Sequence, residues 1–346
     1  MTTPDNAAFE RAEALVASAE RIPLLSHNFE QVGWQLLEAQ QIVAPDDSGE
    51  PDDPRARALL ERATARFVEL FFRSGAAHQA ADLALGILER EPATPVRARV
   101  LDVLARAAVA LGDLRAARKA IDDGRDDAPW HALARAELDA AEGHAARGAA
   151  VASGAGPFED GGDEWDRRVV VGLAHLLAGA LDEATAALDQ AVSGALEQDA
   201  AHEMLVSLGL LAVAQATAGQ WEAATDSIGR ALQLAPMLDP IPPPDVAAPP
   251  RGVMLALASS RDASQAALRL HADVDARARA GELTGVLLGA ALAAVILELG
   301  GARDAALELT RGLAQRLGEL DQRALAQLAG SLAHRIETHT LVVPAS

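Results

Sequence analysis

The stretch "AGQWEAATDSIGRALQLAP", residues 218–236, decides the fold. An apolar helix, "LVSLGLLAVAQAT" (205–217), runs into it. Gly219 stops that helix, because glycine takes the left-handed cap conformation without steric penalty. Trp221 and Ala224 open a second helix, and Ile228 and Ala231 continue the same face at spacings of four and three. Pro236 closes the unit, since proline cannot continue a helix. The stretch therefore reads as the second half of a helix hairpin.

The same grammar recurs along the chain. "SGAAHQAADLALGILEREP" supplies Gly75, Ala80, Ala84, Ile87 and Pro92, and "LGDLRAARKAIDDGRDDAP" supplies Gly112, Leu114, Ala117, Ile121, Gly124 and Pro129. "AGALDEATAALDQAVSGAL" gives Gly179, Leu181, Ala184, Leu188 and Ala191, and "LGGARDAALELTRGL" gives Gly300, Ala302, Ala305, Leu309 and Gly312. A weaker copy, "SRDASQAALRLHADV", puts Ala267 in the same role. Small residues let paired helices approach closely, and larger ones fill the space between neighbouring units. Ala80, Ala117, Ala184, Ala224, Ala267 and Ala305 are separated by 37, 67, 40, 43 and 38 residues. The 67-residue interval spans two units, with a degenerate copy expected around 130–162.

The pattern resembles tetratricopeptide-repeat (TPR) proteins, or TPR-like variants with units longer than the usual length of about 34 residues. The resemblance covers roughly residues 55–317. The first helices depart from the usual aromatic and Leu-Gly signature, with Leu208, Leu211 and Ala212 where Trp, Leu and Gly are common. The expected fold is all-α: a right-handed superhelix, or solenoid, of stacked antiparallel helix hairpins.

Five segments follow from this reading. Residues 1–54 form a leading helical pair (6–21 and 27–43) and an acidic loop; residues 55–235 carry repeats. Residues 236–252, "PMLDPIPPPDVAAPPRG", form a Pro-rich loop of extended character. Residues 253–317 carry further repeats, and residues 318–346 form a capping helix and tail. "GAGPFEDGGDEWD" (154–166) reads as a solvated acidic loop, because its carboxylates lack the ligand order of a calcium loop.

Composition narrows the function classes. The net charge of −20 opposes a phosphate backbone, so nucleic acid is not an expected partner. The chain has no cysteine, hence neither disulfides nor thiolate chemistry, and its single lysine is Lys119. The most apolar run, "LTGVLLGAALAAVILELGG" (283–301), is interrupted by glycines and flanked by charged helices, which fits a buried helix better than a membrane span. Without a basic region followed by an apolar stretch at the N-terminus, the expected location is the cytoplasm.

Catalytic patterns are not apparent. Lys119 lies in "ARKAI" rather than a phosphate-binding loop, no serine occupies a G-x-S-x-G elbow, and no H-E-x-x-H occurs. No cofactor or metal is expected, and the chain reads as a non-enzymatic scaffold or adaptor. A regulatory module that binds a peptide or small ligand is the alternative.

The resemblance implies that the first helix of each hairpin lines a concave groove that binds a partner protein or peptide segment. The groove residues would be Arg62, Glu69, Phe72 and Arg73, then Arg99, Asp102, Arg106 and Val109. Val169, Leu173, Leu176 and Leu177 would follow, then Val206 and Val213, then Leu287, Ala294 and Leu297. The expectation is a divided groove, with arginines offered to an acidic segment at one end and an apolar wall at the other. The lysine–asparagine clamp that some TPR proteins use for chaperone tails has no counterpart here.

Overall fold

The computed structural model describes residues 6–44, 51, 53–124, 129–156, 158, 160–234, 283–319 and 322–339, with 283–286 as backbone only. The Pro-rich loop and the weak copy around Ala267 lie outside the described residues. A leading pair, α1 (Asn6–Arg21) and α2 (Phe29–Val43), is joined through a short 3-10 turn at Ser26–Asn28. Hairpins follow: α3 (Pro54–Ser74) with α4 (Ala77–Leu88), α5 (Thr94–Ala110) with α6 (Leu114–Asp122), and α7 (Pro129–Ala141) with α8 (Ala145–Gly154). Next come α9 (Gly161–Ala178) with α10 (Leu181–Glu197), α11 (Ala201–Thr217) with α12 (Trp221–Leu234), and α13 (Leu283–Leu299) with α14 (Arg303–Glu319). The helix α15 (Arg323–Thr338) ends the series. All regular structure among the described residues is helical, and consecutive helices pack on one another as a TPR-like helical-repeat array.

One local rule builds the hairpins. Among the described residues, six turns hold a glycine with positive φ, and five positions later a buried small residue meets the first helix. The pairs are Gly75 with Ala80, Gly112 with Ala117, Gly143 with Gly148, Gly179 with Ala184, Gly219 with Ala224, and Gly301 with Ala306. The five alanines have no measurable exposure. At Gly148 even a methyl is too large: a Cβ there would lie 2.5 Å from the Ala136 carbonyl oxygen.

This rule finds the hidden copy and corrects another. The degenerate unit is α7–α8, turning at Gly143. In the hairpin near the C-terminus the left-handed residue is Gly301 rather than Gly300, so the register moves by one. Ala306 and Thr310 are buried there while Ala305 is exposed, so Ala305 is not the equivalent of Ala224. The proposed acidic loop at 154–166 is also largely helix. Asp160 is the N-cap of α9, accepting from the amides of Gly162 and Asp163 at 2.8 and 3.0 Å, and Asp163, Glu164 and Asp166 lie in its first turns.

The array winds far enough to meet itself. The connector between α1 and α2 touches α11, where the Ser26 amide donates to Glu203 Oε1 at 2.7 Å across 177 positions. Leu25 packs in the same apolar cluster as Val169 and Leu205. From the other end, α15 rests on α13 and α14 as a terminal cap would, but it also reaches α7, α9 and α11. Arg335 Nε donates to the Thr217 carbonyl at 3.0 Å, satisfying an acceptor at the C-terminal end of α11. No helix among the described residues is long and apolar enough to cross a membrane.

Candidate functional site

Where the array curls, the first helices surround a chamber of about 210 Å³. Phe72 of α3, Val109 of α5, Val169, Leu173 and Leu177 of α9, and Val206 of α11 lie in its apolar wall. Leu24 and Phe29 border it from the N-terminal side, and Leu288 and Leu325 from α13 and α15. Trp165, half-buried, is fixed at the wall by its Nε1–H donating to Ser207 Oγ at 2.9 Å. The polar part consists of Arg73, Arg106, Glu137, Asp166 and Glu203.

The arginines do face inward, but their charge is spent inside the protein. Arg106, buried, forms two hydrogen bonds with Glu137 (2.8 and 2.9 Å) and two with Asp166 (2.6 and 3.0 Å). Arg73 donates to Asp163 at 2.9 Å and to the Gly162 carbonyl at 3.2 Å, with Asp166 at 3.4 Å. Arg99 donates to buried Glu69, which also receives Arg66 at 2.5 Å. Arg66 in turn donates to the Ile22 carbonyl at 2.6 Å, tying α3 to the N-terminal connector. Trp130 stacks beneath this group, with the Arg99 guanidinium 3.6 Å and that of Arg73 5.1 Å from its ring centre. Asp102 meets His131 at 3.1 Å, both buried.

The titration behaviour follows from this burial. Burial works against the Glu69 carboxylate, yet Arg99 and Arg66 hold its pKa down to about 2. Asp166 is likewise opposed by burial and held below its ordinary value by Arg106 and Arg73. Burial dominates at Glu137 and Asp102, raising both despite Arg106 and His131 respectively. It also dominates at Asp163, raising that group to about 6 against the pull of Arg73 and Arg99. Arg106 itself loses solvation but is raised well above its ordinary value by Asp166 and Glu137.

The sequence-based groove is therefore reproduced in part. Phe72, Arg73, Arg106, Val109, Val169, Leu173, Leu177 and Val206 come together at the chamber. Glu69, Arg99 and Asp102 stand behind it in the ionic network, while Leu176, Val213, Leu287 and Ala294 are buried among helices. Leu297 packs, partly buried, against the same core. Arg62 lies elsewhere: it turns to α1 and makes two hydrogen bonds with Glu20, at 3.0 and 2.5 Å. The expected positive end of the groove is corrected accordingly, because the four arginines assigned to it each have internal carboxylate partners.

Residues outside the sequence-based groove matter as much. Glu137 and Trp130 sit in the degenerate copy, whose turn glycine the sequence does not single out. Once Gly143 is placed, Glu137 stands six positions before it, as Arg106 stands six before Gly112, and the two pair across neighbouring hairpins. Glu203 carries no comparable signal, since its role depends on the N-terminal connector arriving beside it.

No protein-family model and no curated protein matches the chain. Among solved structures, a Rap protein complexed with competence and sporulation factor is similar over 96% of this chain and 97% of its own, with a TM-score of 0.51 and 11% identity. The apo form of RapI aligns over 96% of this chain and 98% of its own, with a TM-score of 0.40 and 9% identity. The class defined by fold and chamber is a TPR-like helical-repeat protein, and the Rap complex shares its architecture.

Proposed function

We propose that this chain is a non-enzymatic regulatory adaptor of the cytoplasm that receives a peptide or protein segment inside its superhelix. The observation that carries the reading is the chamber: apolar side chains from successive first helices converge there, beside a small set of fixed polar groups. The Rap protein of similar fold is complexed with competence and sporulation factor, which supports binding as the task of this architecture. The saturated ion pairs favour an apolar anchor over an acidic segment, because an incoming carboxylate would have to displace Glu137 or Asp166 from Arg106.

A displayed library of short peptides panned on the full chain tests this. Wild type is expected to enrich sequences that bind at micromolar Kd. Leu173→Trp, which fills the chamber from a half-buried position, is expected to lose them while its circular dichroism stays helical. Failure to enrich any sequence, or equal retention by the filled variant, would overturn the reading.

A further inference from the structure

Helix α2 has two faces. Val32, Leu36, Ala39 and Val43 are buried toward α1 and α3, as the core stripe of an amphipathic helix should be. Glu30, Gln31, Trp34, Leu37 and Gln41 recur on the other side at helical spacing, and all are exposed. Trp34 is 65% exposed, although the chain has few aromatic residues and keeps its other three tryptophans half-buried. An indole left in water forgoes the large apolar burial that tryptophan otherwise supplies.

The apolar surface extends beyond one helix. α2 runs antiparallel to α3: the Cβ position of Gly33 lies 3.6 Å from Leu70 Cδ2, and Gln40 Nε2 donates to Thr64 Oγ1 at 3.4 Å. That register brings Trp34 and Phe71, the next residue on each helix, to the same level of the pair. Phe71 is also exposed, and its ring stacks at 6.2 Å on that of Phe67, which packs in the same core as Val32 and Leu36. Trp34, Leu37 and Phe71 are three of the five exposed large hydrophobic side chains among the described residues. Gathered at one site, they differ from the scattered single residues of an ordinary surface.

We infer that this face binds a second copy of the chain, α2 packing antiparallel on the partner's α2 about a two-fold axis between Trp34 and Leu37. The sequence of α2 complements itself in that arrangement. Each Trp34 covers the partner's Leu37, and each Glu30 meets the partner's Gln41 rather than another carboxylate. Keeping acid away from acid matters for a chain of net charge −20. Glu38 is already held by Arg11, so the face presents little unspent charge to a basic partner. Its amides, Gln31 and Gln41, both donate and accept, which suits pairing between identical surfaces. A helix of fifteen residues, about 22 Å long, falls short of the roughly 800 Å² per partner of a standard interface, so the dimer exchanges with monomer.

The test is analytical ultracentrifugation of the full chain from about 1 to about 200 µM, a span that covers micromolar Kd values. Wild type is expected to equilibrate between monomer and dimer. Trp34→Asp should weaken the dimer at least about a hundredfold, because a two-fold interface loses its aromatic anchor twice. Its circular dichroism should stay helical, since the side chain replaced is exposed. Gln41→Arg should tighten the dimer about two- to tenfold by pairing with Glu30 on both sides of the axis, and Gln41→Glu should loosen it by a similar factor. A dimer that survives Trp34→Asp, or Gln41 variants that fail to move in opposite directions, would overturn the inference. A wild-type chain that is monomeric at about 200 µM would overturn it as well, leaving the face to a different protein.

Discussion

Arg106 on α5 and Asp166 on α9, sixty positions apart, share two hydrogen bonds of 2.6 and 3.0 Å in the interior. The pair spans the α7 hairpin between them, and Glu137 of α7 holds the other edge of the same guanidinium. Three hairpins are thus tied through one side chain, and their spacing fixes the width of the chamber.

Removing that side chain leaves half-buried Glu137 without its counter-charge and buried Asp166 with only Arg73, at 3.4 Å. Arg106→Ala is expected to lower unfolding stability by about 3–5 kcal/mol, measured by urea denaturation. A double-mutant cycle with Asp166→Asn should show strong coupling, since both single variants break the same contact. A loss below 1 kcal/mol (roughly that of an exposed pair) would contradict the buried network. For the same reason, reversing the charges of Arg62, Arg73, Arg99 and Arg106 together reports on folding rather than on a binding surface.

Stability should fall as pH rises from 4 to 7 (roughly the span in which Asp163 loses its proton). Its folded pKa of about 6 lies above the unfolded value, so between the two the native state holds more protons. The contribution is present in acid and lost as pH rises through about 6, amounting to about 3 kcal/mol. Asp163→Asn should flatten this slope in urea titrations at pH 4.5 and 7.5, two points chosen to bracket roughly that interval. Glu69 works in the opposite sense: its stabilisation is full above its unfolded value and disappears as pH falls toward about 2.

Glycine substitutions should separate by position. Gly148→Ala drives a methyl against the Ala136 carbonyl and should cost about 1–3 kcal/mol through forced helix separation. Gly179→Ala should cost about 1 kcal/mol or more, because φ there is 75°. Gly229, inside α12 with open space at its Cβ position, should gain about 0.5–1 kcal/mol on replacement by alanine. Thermal unfolding of the three variants gives the ranking directly.

The end of α15 is held by a second ionic cluster. Glu298, fully buried, receives Arg303 at 2.6 Å and lies 2.7 Å from His339 Nδ1. The His339 ring stacks on Trp221 at 4.3 Å between centroids. Glu298→Ala should release α15 from α12 and α13 before the rest unfolds. Hydrogen exchange is expected to accelerate in Arg323–Thr338 first, and uniform loss of protection across all helices would contradict this.

Much of the array is legible in sequence because its rule is local. A glycine with positive φ, a small residue five positions later and an apolar face at helical spacing recur wherever a hairpin turns, as at Gly219 and Ala224. The signal fails where local cues compete: adjacent glycines shift the register at Gly300 and Gly301, and small residues throughout α8 hide the copy at Gly143. The acidic run around Trp165 reads as solvated because the partners of Asp163 and Asp166, Arg73 and Arg106, lie far back in the chain.

Sequence by itself determined the all-helical repeat and most of its hairpin turns, since each depends on residues within one or two helical turns. Only the tertiary structure decided that the inward arginines are neutralised, that Ser26 reaches Glu203, and that α15 returns to the chamber. Those contacts join positions 30 to 177 residues apart. They exist because small per-hairpin rotations accumulate until the superhelix meets itself, a sum that no single repeat encodes.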